Sequence, residues 1–597
     1  MSNYLRNNDD ATSKTISPLR RRRMWLATGV VGLTGAVSLA GVAYATTGAT
    51  GPHRLADVKW SPTQQLSDDH GDKGDKGEYG RDGYDKDGYD KDGYDKDGHG
   101  KDGKDRGQEG RDRGEWGPDK GDWGKDGKDD HGKTREVACD DDALIDALEL
   151  ANRDHGGTLK LAENCTYELG VKDRKFGSAL PEIKQDVTIK GNGSTIKRDA
   201  EDTFRIFRVR DGGDLTLKDL TVKGGNANEF KYPGPSVPKA ADPAELDAKR
   251  VEGDGGALLV ERGGSAHLVN VKLTDNNAEG DGGAIANYGR TWLKESKVVN
   301  NHAQGDGGGI FNEGILKVEE THVDDNTAGG NGGGIANGGG FSGEHGPAAS
   351  AAPKGYDKKE KHHEAGIVEI FGSDHGKDGV KSSLSDNRAG KNGGGLFSSG
   401  GWVTVSFTAI GGNVACDNGG GVYAENTDLL MEKVHVAGNH ADGNGGGVVT
   451  TGGRDWAGNG AEKDGHAGSA TIADSAVVDN TAGRFGGGIF NGEWLIKIED
   501  GFLTREHDKD DNATLTIRDT EIKANTALNG GGIFNNKAKI TLTKTHVTKN
   551  TATDSSKLHR VAGGVLNNEG RVKLDDKSLI SNNDPTNCAN TVEDCFN

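Results

Sequence analysis

Between about residues 253 and 583 the chain repeats one short pattern of aliphatic and polar positions. An aliphatic residue stands three places before an Asn at Leu273, Val298, Val323, Leu384, Ile410, Val436, Val477, Ile522, Val547 and Leu579. The position just before each of these is polar or small: Lys272, Lys297, His322, Ser383, Ala409, His435, Ala476, Glu521, His546 and Ser578. An aliphatic column beside a polar one is the period-two mark of a strand with one buried face. The anchoring residues are Asn276, Asn301, Asn326, Asn387, Asn413, Asn439, Asn480, Asn525, Asn550 and Asn582, and Ala follows two places after the first nine. The shortest intervals are 25 or 26 residues, and the longer ones hold insertions.

A Gly-Gly-x-aliphatic step separates the runs, repeating at Gly255, Gly282, Gly308, Gly333, Gly394, Gly420, Gly446, Gly487, Gly531 and Gly563. Gly allows the tight corners and close backbone approach that several strands within 25 residues demand. A unit this short has no room for a βαβ crossover. The pattern therefore predicts an all-β fold, a right-handed parallel β-helix with one coil per unit and equivalent residues stacked at about 4.8 Å. About 12–14 coils follow from the repeat length. Stacked inward amides can hydrogen-bond along such a column, so Asn276, Asn301, Asn326, Asn387, Asn413, Asn439, Asn480, Asn525 and Asn550 are predicted to form a structural ladder.

Ahead of the repeats, residues 134–225 read as a cap with the first coils. Asp140, Asp141 and Asp142 open a helix with an apolar face of Leu144, Ile145, Leu148 and Ala151, and Gly156-Gly157 stops it. Acidic residues suit the first turn of a helix, and a solenoid needs its open end covered. The repeats with their insertions occupy 226–597, the insertions being 226–252, 341–364, 452–466 and 494–510.

Composition changes the picture only at the amino-terminal end. The 597 residues include 98 Gly, carry a net charge of -20 and are 32% hydrophobic. Low hydrophobicity suffices for a narrow interior filled by Ile, Val and Leu. An acidic balance excludes nucleic acid as a partner, because phosphates need Lys/Arg surfaces. Arg20 to Arg23 precede an apolar run over 24–43 and then Ala43-Tyr44-Ala45. Residues 1–45 thus read as a signal segment of twin-arginine or general-secretory type, or as an uncleaved membrane helix. The predicted location is extracellular or at a cell surface, with a membrane contact only through this segment if it stays attached. Residues 46–133 are Gly, Asp and Lys with little else, which predicts a solvated, disordered linker.

Five Cys in 597 residues do not make a disulfide scaffold. In an exported protein Cys139 and Cys165, which bracket the cap, are expected to pair, as are Cys588 and Cys595 at the end. Cys416 is then a free thiol.

The steps Gly-Gly-Gly-Ile310-Phe311-Asn312 and Gly-Gly-Gly-Ile533-Phe534-Asn535 resemble the repeats of polymorphic outer-membrane-protein-type β-helices. The cap, through Cys139, Ala143-Leu144, Ala151-Asn152, Gly157-Thr158-Leu159 and Cys165-Thr166-Tyr167, resembles the first module of secreted bacterial right-handed β-helix repeat proteins. The resemblance spans residues 134–597. It implies a surface-exposed or secreted protein, with adhesion known among such families. No alternating apolar strands with aromatic girdles follow the repeats, so a membrane barrel is not implied.

No catalytic set, cofactor site or metal site emerges. Asn426-Thr427-Asp428, Asp510-Asp511 and Arg571-Val572-Lys573 are fragments of the carboxylate chemistry used on glycosidic bonds, yet about three coils part the first two. Gly98-His99-Gly100 lies in the linker. His322, His435 and His546 share a column without occupying adjacent coils, and His362-His363-Glu364 falls in an insertion. Asp275, Asp325 and Asp386 read as turn residues. Trp292, Trp402, Trp456 and Trp494 are the candidates for stacking on sugar rings, with Trp456 and Trp494 placed for ligand contact by the insertions. The expected function is a non-catalytic scaffold for adhesion or glycan binding. Its partners would be a cell-wall or extracellular polysaccharide or a neighbouring surface. The alternative is a polysaccharide lyase or glycoside hydrolase.

Overall fold

A computed structural model describes residues 133–170, 177–228, 252–339, 365–373, 382–452, 468–493, 497–499, 502–504, 513–555, 560–590 and 592–595. The signal segment, the linker up to residue 132, Gly98-His99-Gly100, His362-His363-Glu364, Asp510-Asp511, Trp456 and Trp494 lie outside them.

The described chain is a right-handed parallel β-helix. One coil shows how it is made. Ile310–Asn312 forms a first strand, Ile315–Glu319 a second, His322–Asp324 a third and Thr327–Ala328 a fourth. A Gly-rich corner then carries the chain to Ile335, where the cycle repeats. Each strand pairs in parallel with its counterpart one coil away: Ile310 with Ile335, Ile315 with Ile367, His322 with Ser383 and Thr327 with Arg388. First strands stack into a 12-stranded ladder and fourth strands into a 10-stranded one, while second and third strands form the two halves of a 24-stranded sheet.

Side-chain alternation sends Ile310, Leu316, Val318 and Val323 inward to one continuous core. Phe311 points the other way. It joins Phe397, Tyr423, Phe490 and Phe534 in a second apolar column on the outer side of the first ladder. Phe490 stacks on Phe534 with centroids 5.5 Å apart, and Phe397 on Tyr423 at 5.6 Å. The Gly corner folds back over this column. Gly307 takes φ +70° there, and a Cβ on Gly308 would stand 2.4 Å from the Gly333 carbonyl oxygen. No other residue meets both demands.

Left-handed residues also turn the chain between the third and fourth strands. Asp275, Asp325 and Asp386 occupy this place with φ of 56°, 56° and 57°. Asp and Asn tolerate that conformation better than other non-Gly residues.

The cap is the helix α1, Asp141–Arg153, whose N-cap Asp140 accepts a hydrogen bond from the Ala143 N–H at 3.1 Å. Its buried Leu144, Leu148 and Ala151 continue the core. A Cys139–Cys165 disulfide, with Cα atoms 5.7 Å apart, ties the residue before the cap to the first coils. Cys588 and Cys595 are bonded at the other end, and Cys416 is a free, half-buried thiol.

The last coil corrects one expectation. Ile580, not Leu579, pairs with Val547, and Leu579 is 49% exposed. The anchor there is Asn583, which accepts from the Asn550 N–H at 2.9 Å, whereas Asn582 takes the left-handed turn position with φ 56°. The left-handed residue always precedes the anchor, and two consecutive Asn concealed which was which.

Candidate functional site

Three sets of polar or aromatic side chains recur along the coils: inward amide stacks, a corner column and the outward faces of the second and third ladders. The first is structural. Asn276, Asn301, Asn326, Asn387, Asn413, Asn439, Asn480, Asn525 and Asn550 form one stack that ends at Asn583. At Asn387, both the backbone N–H and the Nδ2 amide donate to Asn413 Oδ1 at 3.0 Å, and Nδ2 also donates to the Val323 carbonyl at 2.8 Å. Every donor and acceptor of the buried amide is used, which is what burial of an Asn requires. A second inward stack joins Asn287 to Asn312 and Asn337 at 2.7 Å per step, and Asn491 to Asn535 and Asn567 at 2.8 Å. Sequence reasoning missed it, although Asn stands two places after the corner aliphatic in each of these units.

The corner column was also missed. Asp254, Asp281, Asp306, Asn331, Asn392, Asn418 and Asn444 each stand just before a Gly-Gly pair. Asp254 Oδ1 accepts the Asp281 N–H at 2.8 Å, Asp281 Oδ1 the Asp306 N–H at 2.6 Å, and Asp306 Oδ1 the Asn331 N–H at 2.6 Å. Tyr288 donates its phenol to Asp254 Oδ2 at 2.6 Å. Burial, then the charges of Asp254 and Asp306, push the Asp281 carboxyl well above the usual carboxylate range. Beside this column, Arg208 and Arg210 bridge Glu182 and Glu261, with Arg208 Nε to Glu261 Oε1 at 2.6 Å and Arg210 Nη1 to Glu182 Oε1 at 3.0 Å. Burial lowers the nearby Arg205 to about 10.

The outward face of the second ladder carries the aromatic residues. Trp292, Lys317, Glu369 and Thr404 follow one another in register on consecutive coils. The Lys317 ammonium lies 4.9 Å from the Trp292 ring centroid and 4.9 Å from that of Phe371. A cation held against two ring faces keeps both rings and its own stem in fixed positions. His267 meets Trp292 edge-on at 6.0 Å. Trp402 stands on the same face, paired with Ile367, three coils or about 14 Å beyond the Trp292 coil. Leu430, one coil further, is 37% exposed. Trp292, Phe371 and Trp402 are half-buried, so each is partly open to solvent.

On the same two coils as Lys317 and Phe371, the third ladder brings together a Ser, a His and an Asp. His322 Nδ1 lies 2.7 Å from Ser383 Oγ, which donates to Asp324 Oδ1 at 2.9 Å; the Ser385 N–H also donates to Asp324 Oδ1 at 2.9 Å. Burial raises Asp324 to about 6 and lowers His322. The contact was not foreseen, since 61 residues separate His322 from Ser383. As a nucleophile site it is incomplete. The Ser bonds the Asp rather than the Asp orienting the His, and the nearby backbone N–H groups of His322 and Ser383 are spent in the ladder.

The other fragments stay apart. Asp428 and Arg571 occupy the same outward position four coils apart, about 19 Å. His322, His435 and His546 share one column at steps of three coils, about 14 Å each. Among the described residues no group of three His, Cys, Asp or Glu is arranged to hold a metal ion.

Fold and surface together define a parallel β-helix with an aromatic strip on one outward ladder. No protein-family model matches the chain, and no curated protein does. Solved structures that resemble it include the A-module of mannuronan C-5 epimerase AlgE6 from Azotobacter vinelandii, at 12% identity and TM-score 0.29, covering 75% of this chain and 95% of that one. Another is the endo-xylogalacturonan hydrolase of Aspergillus tubingensis, at 12% identity and TM-score 0.22, covering 76% of this chain and 99% of that one. At these scores neither protein's chemistry is carried over to this chain.

Proposed function

We propose that the protein is an exported, non-catalytic scaffold that binds a polysaccharide of a cell wall or extracellular matrix along the outward face of its second ladder. The observation that carries this reading is the Lys317 ammonium between the Trp292 and Phe371 rings, with Trp402 further along the same face. Flat, pre-positioned rings suit the C–H faces of sugars, and the flanking polar groups suit hydroxyls. The distance from the Trp292 coil to the Trp402 coil, about 14 Å, fits a few sugar units of a linear chain. The Gly-Gly-x-aliphatic steps, followed by Phe-Asn at Phe311-Asn312 and Phe534-Asn535, favour a surface protein with polymorphic outer-membrane-protein-type repeats. The test is a glycan array followed by affinity electrophoresis of the wild type and of W292A and W402A. Binding that both substitutions weaken supports the reading; binding indifferent to both removes it.

A second reading, hydrolysis or eliminative cleavage of the same glycan, is favoured by one observation. Asp324, with its pKa raised to about 6, lies against Ser383 on the coils that carry Lys317 and Phe371. Reducing-end or unsaturated products that disappear in D324N would establish it.

A further inference from the structure

We propose that Asp254, Asp281 and Asp306 form a proton-sharing stack that makes the first coils of the β-helix pH-sensitive. The column itself supplies the comparison. In its Asn coils, each side-chain amide donates to the Oδ1 of the coil before: Asn331 to Asp306 at 3.1 Å, Asn392 to Asn331 at 3.2 Å, Asn418 to Asn392 at 3.0 Å and Asn444 to Asn418 at 3.0 Å. Each backbone N–H makes a bond to the same oxygen. Asp281 and Asp306 keep the backbone bond, at 2.8 and 2.6 Å, so they stand in the same stacked pose. Where the Asn coils place an NH₂, these two place a second carboxyl oxygen. Two oxygens in a donor–acceptor position cannot bond without a proton between them. A carboxylic acid has the shape of an amide and supplies that proton as an O–H donor.

The surroundings hold the proton in place. A Cβ on Gly280 would be 2.0 Å from Asp254 Oδ1, and one on Gly305 would be 2.1 Å from Asp281 Oδ1, so glycine backbone closes over both oxygens. Asp281 is faced by Asp254 and Tyr288 on one side and by Asp306 and Glu313 on the other. Arg262 reaches Glu313 at 3.7 Å on the rim, and Glu279 and Gln304 occupy the same corners. Asp254, Glu279, Asp306 and Glu313 engage further groups as well. The charges acting most strongly on Asp281 are all carboxylates, which favours a neutral acid over an anion.

The direction follows from linkage. A carboxyl that binds its proton more tightly folded than unfolded stabilises the fold at low pH. That stability drains away as pH rises above the ordinary carboxylate range toward the raised value. Full-length protein should therefore melt several degrees lower at pH 8.5 than at pH 5.5, and the corner amides of Asp281 and Asp306 should exchange about tenfold faster after correction for intrinsic rates. D281N restores the amide pattern, because its Nδ2 can donate to Asp254 Oδ1. It should melt higher than wild type at pH 8.5 and show a flatter pH profile; D306N should do the same. N331D, which adds a carboxyl one coil on, should steepen the profile. If wild type, D281N and D306N share one pH dependence, the proposal fails. It fails equally if millimolar calcium stabilises the wild type at pH 8.5 but not D281N, since the column would then take a cation instead of a proton.

Discussion

The inward amide stack and the corner column are made by one device, a side-chain oxygen accepting from a neighbouring coil's backbone, run in opposite directions: the inward Asn413 Oδ1 accepts from Asn387 on the coil before it, and the corner Asn392 Oδ1 accepts from Asn418 on the coil after it. From Asn276 to Asn583 the inward stack never departs from Asn. The corner column begins with three Asp, continues with four Asn and has Phe485 in the following coil. The difference lies in what surrounds the oxygen. Inside, Asn413 Nδ2 has two fixed acceptors, Leu384 O at 2.8 Å and Asn439 Oδ1 at 2.9 Å, so only an amide satisfies the site. At the corner the Asn418 amide donates to Asn392 Oδ1 at 3.0 Å, and other coils bring a charge to this place or, as with Phe485, pack on Phe534 at 4.7 Å. Uniformity marks the positions that hold the fold, and departures from it mark the positions free to acquire a chemistry.

Four substitutions would break or sharpen this contrast. The largest effect is expected from Asn413→Leu. It leaves the Asn387 N–H without its acceptor and takes one bond each from the Asn387 amide, the Leu384 carbonyl and the Asn439 oxygen. The loss should be roughly 3–5 kcal/mol in a urea melt. An unchanged midpoint would remove the structural role of the stack. Next, Asp324→Asn should flatten a distinct pH dependence. Asp324 rises from 3.8 to about 6 on folding, so its contribution is present at low pH and is lost between those two values. The difference amounts to at most about 3 kcal/mol, read as the separation of the wild-type and D324N stability curves at pH 4 and pH 7. Asn418→Leu, the corner counterpart of the first substitution, should cost about 1–2 kcal/mol. A loss equal to that of Asn413→Leu would erase the distinction between column types. Last, Trp292→Ala should change stability by no more than about 1 kcal/mol, since it removes a half-exposed side chain, while lowering glycan affinity about tenfold by titration.

What could be read in the sequence follows the same line. The coil, the inward Asn and the aliphatic columns were legible because each coil repeats them at 25 or 26 residues wherever no insertion intervenes. The tenth anchor was misplaced by one residue, since Asn582 and Asn583 are both plausible until the left-handed turn is seen. The corner column was hidden by its own variability, as Asp gives way to Asn and then to Phe485 along it. The His322–Ser383–Asp324 contact was hidden by a 61-residue interval that the eye assigns to an insertion. Trp292 and Trp402 were singled out as residues, but their common face emerges only when Ile367 is seen beside Trp402 and Lys317 beside Trp292.

The inward stack also bears on inheritance. Each Asn bonds only the coils on either side, and the bonds are the same at every step. A tandem duplication or deletion of 25 codons therefore adds or removes a whole coil, leaving the joints above and below identical in kind. Lengthening such a gene by unequal recombination would extend the protein without asking any existing residue to change.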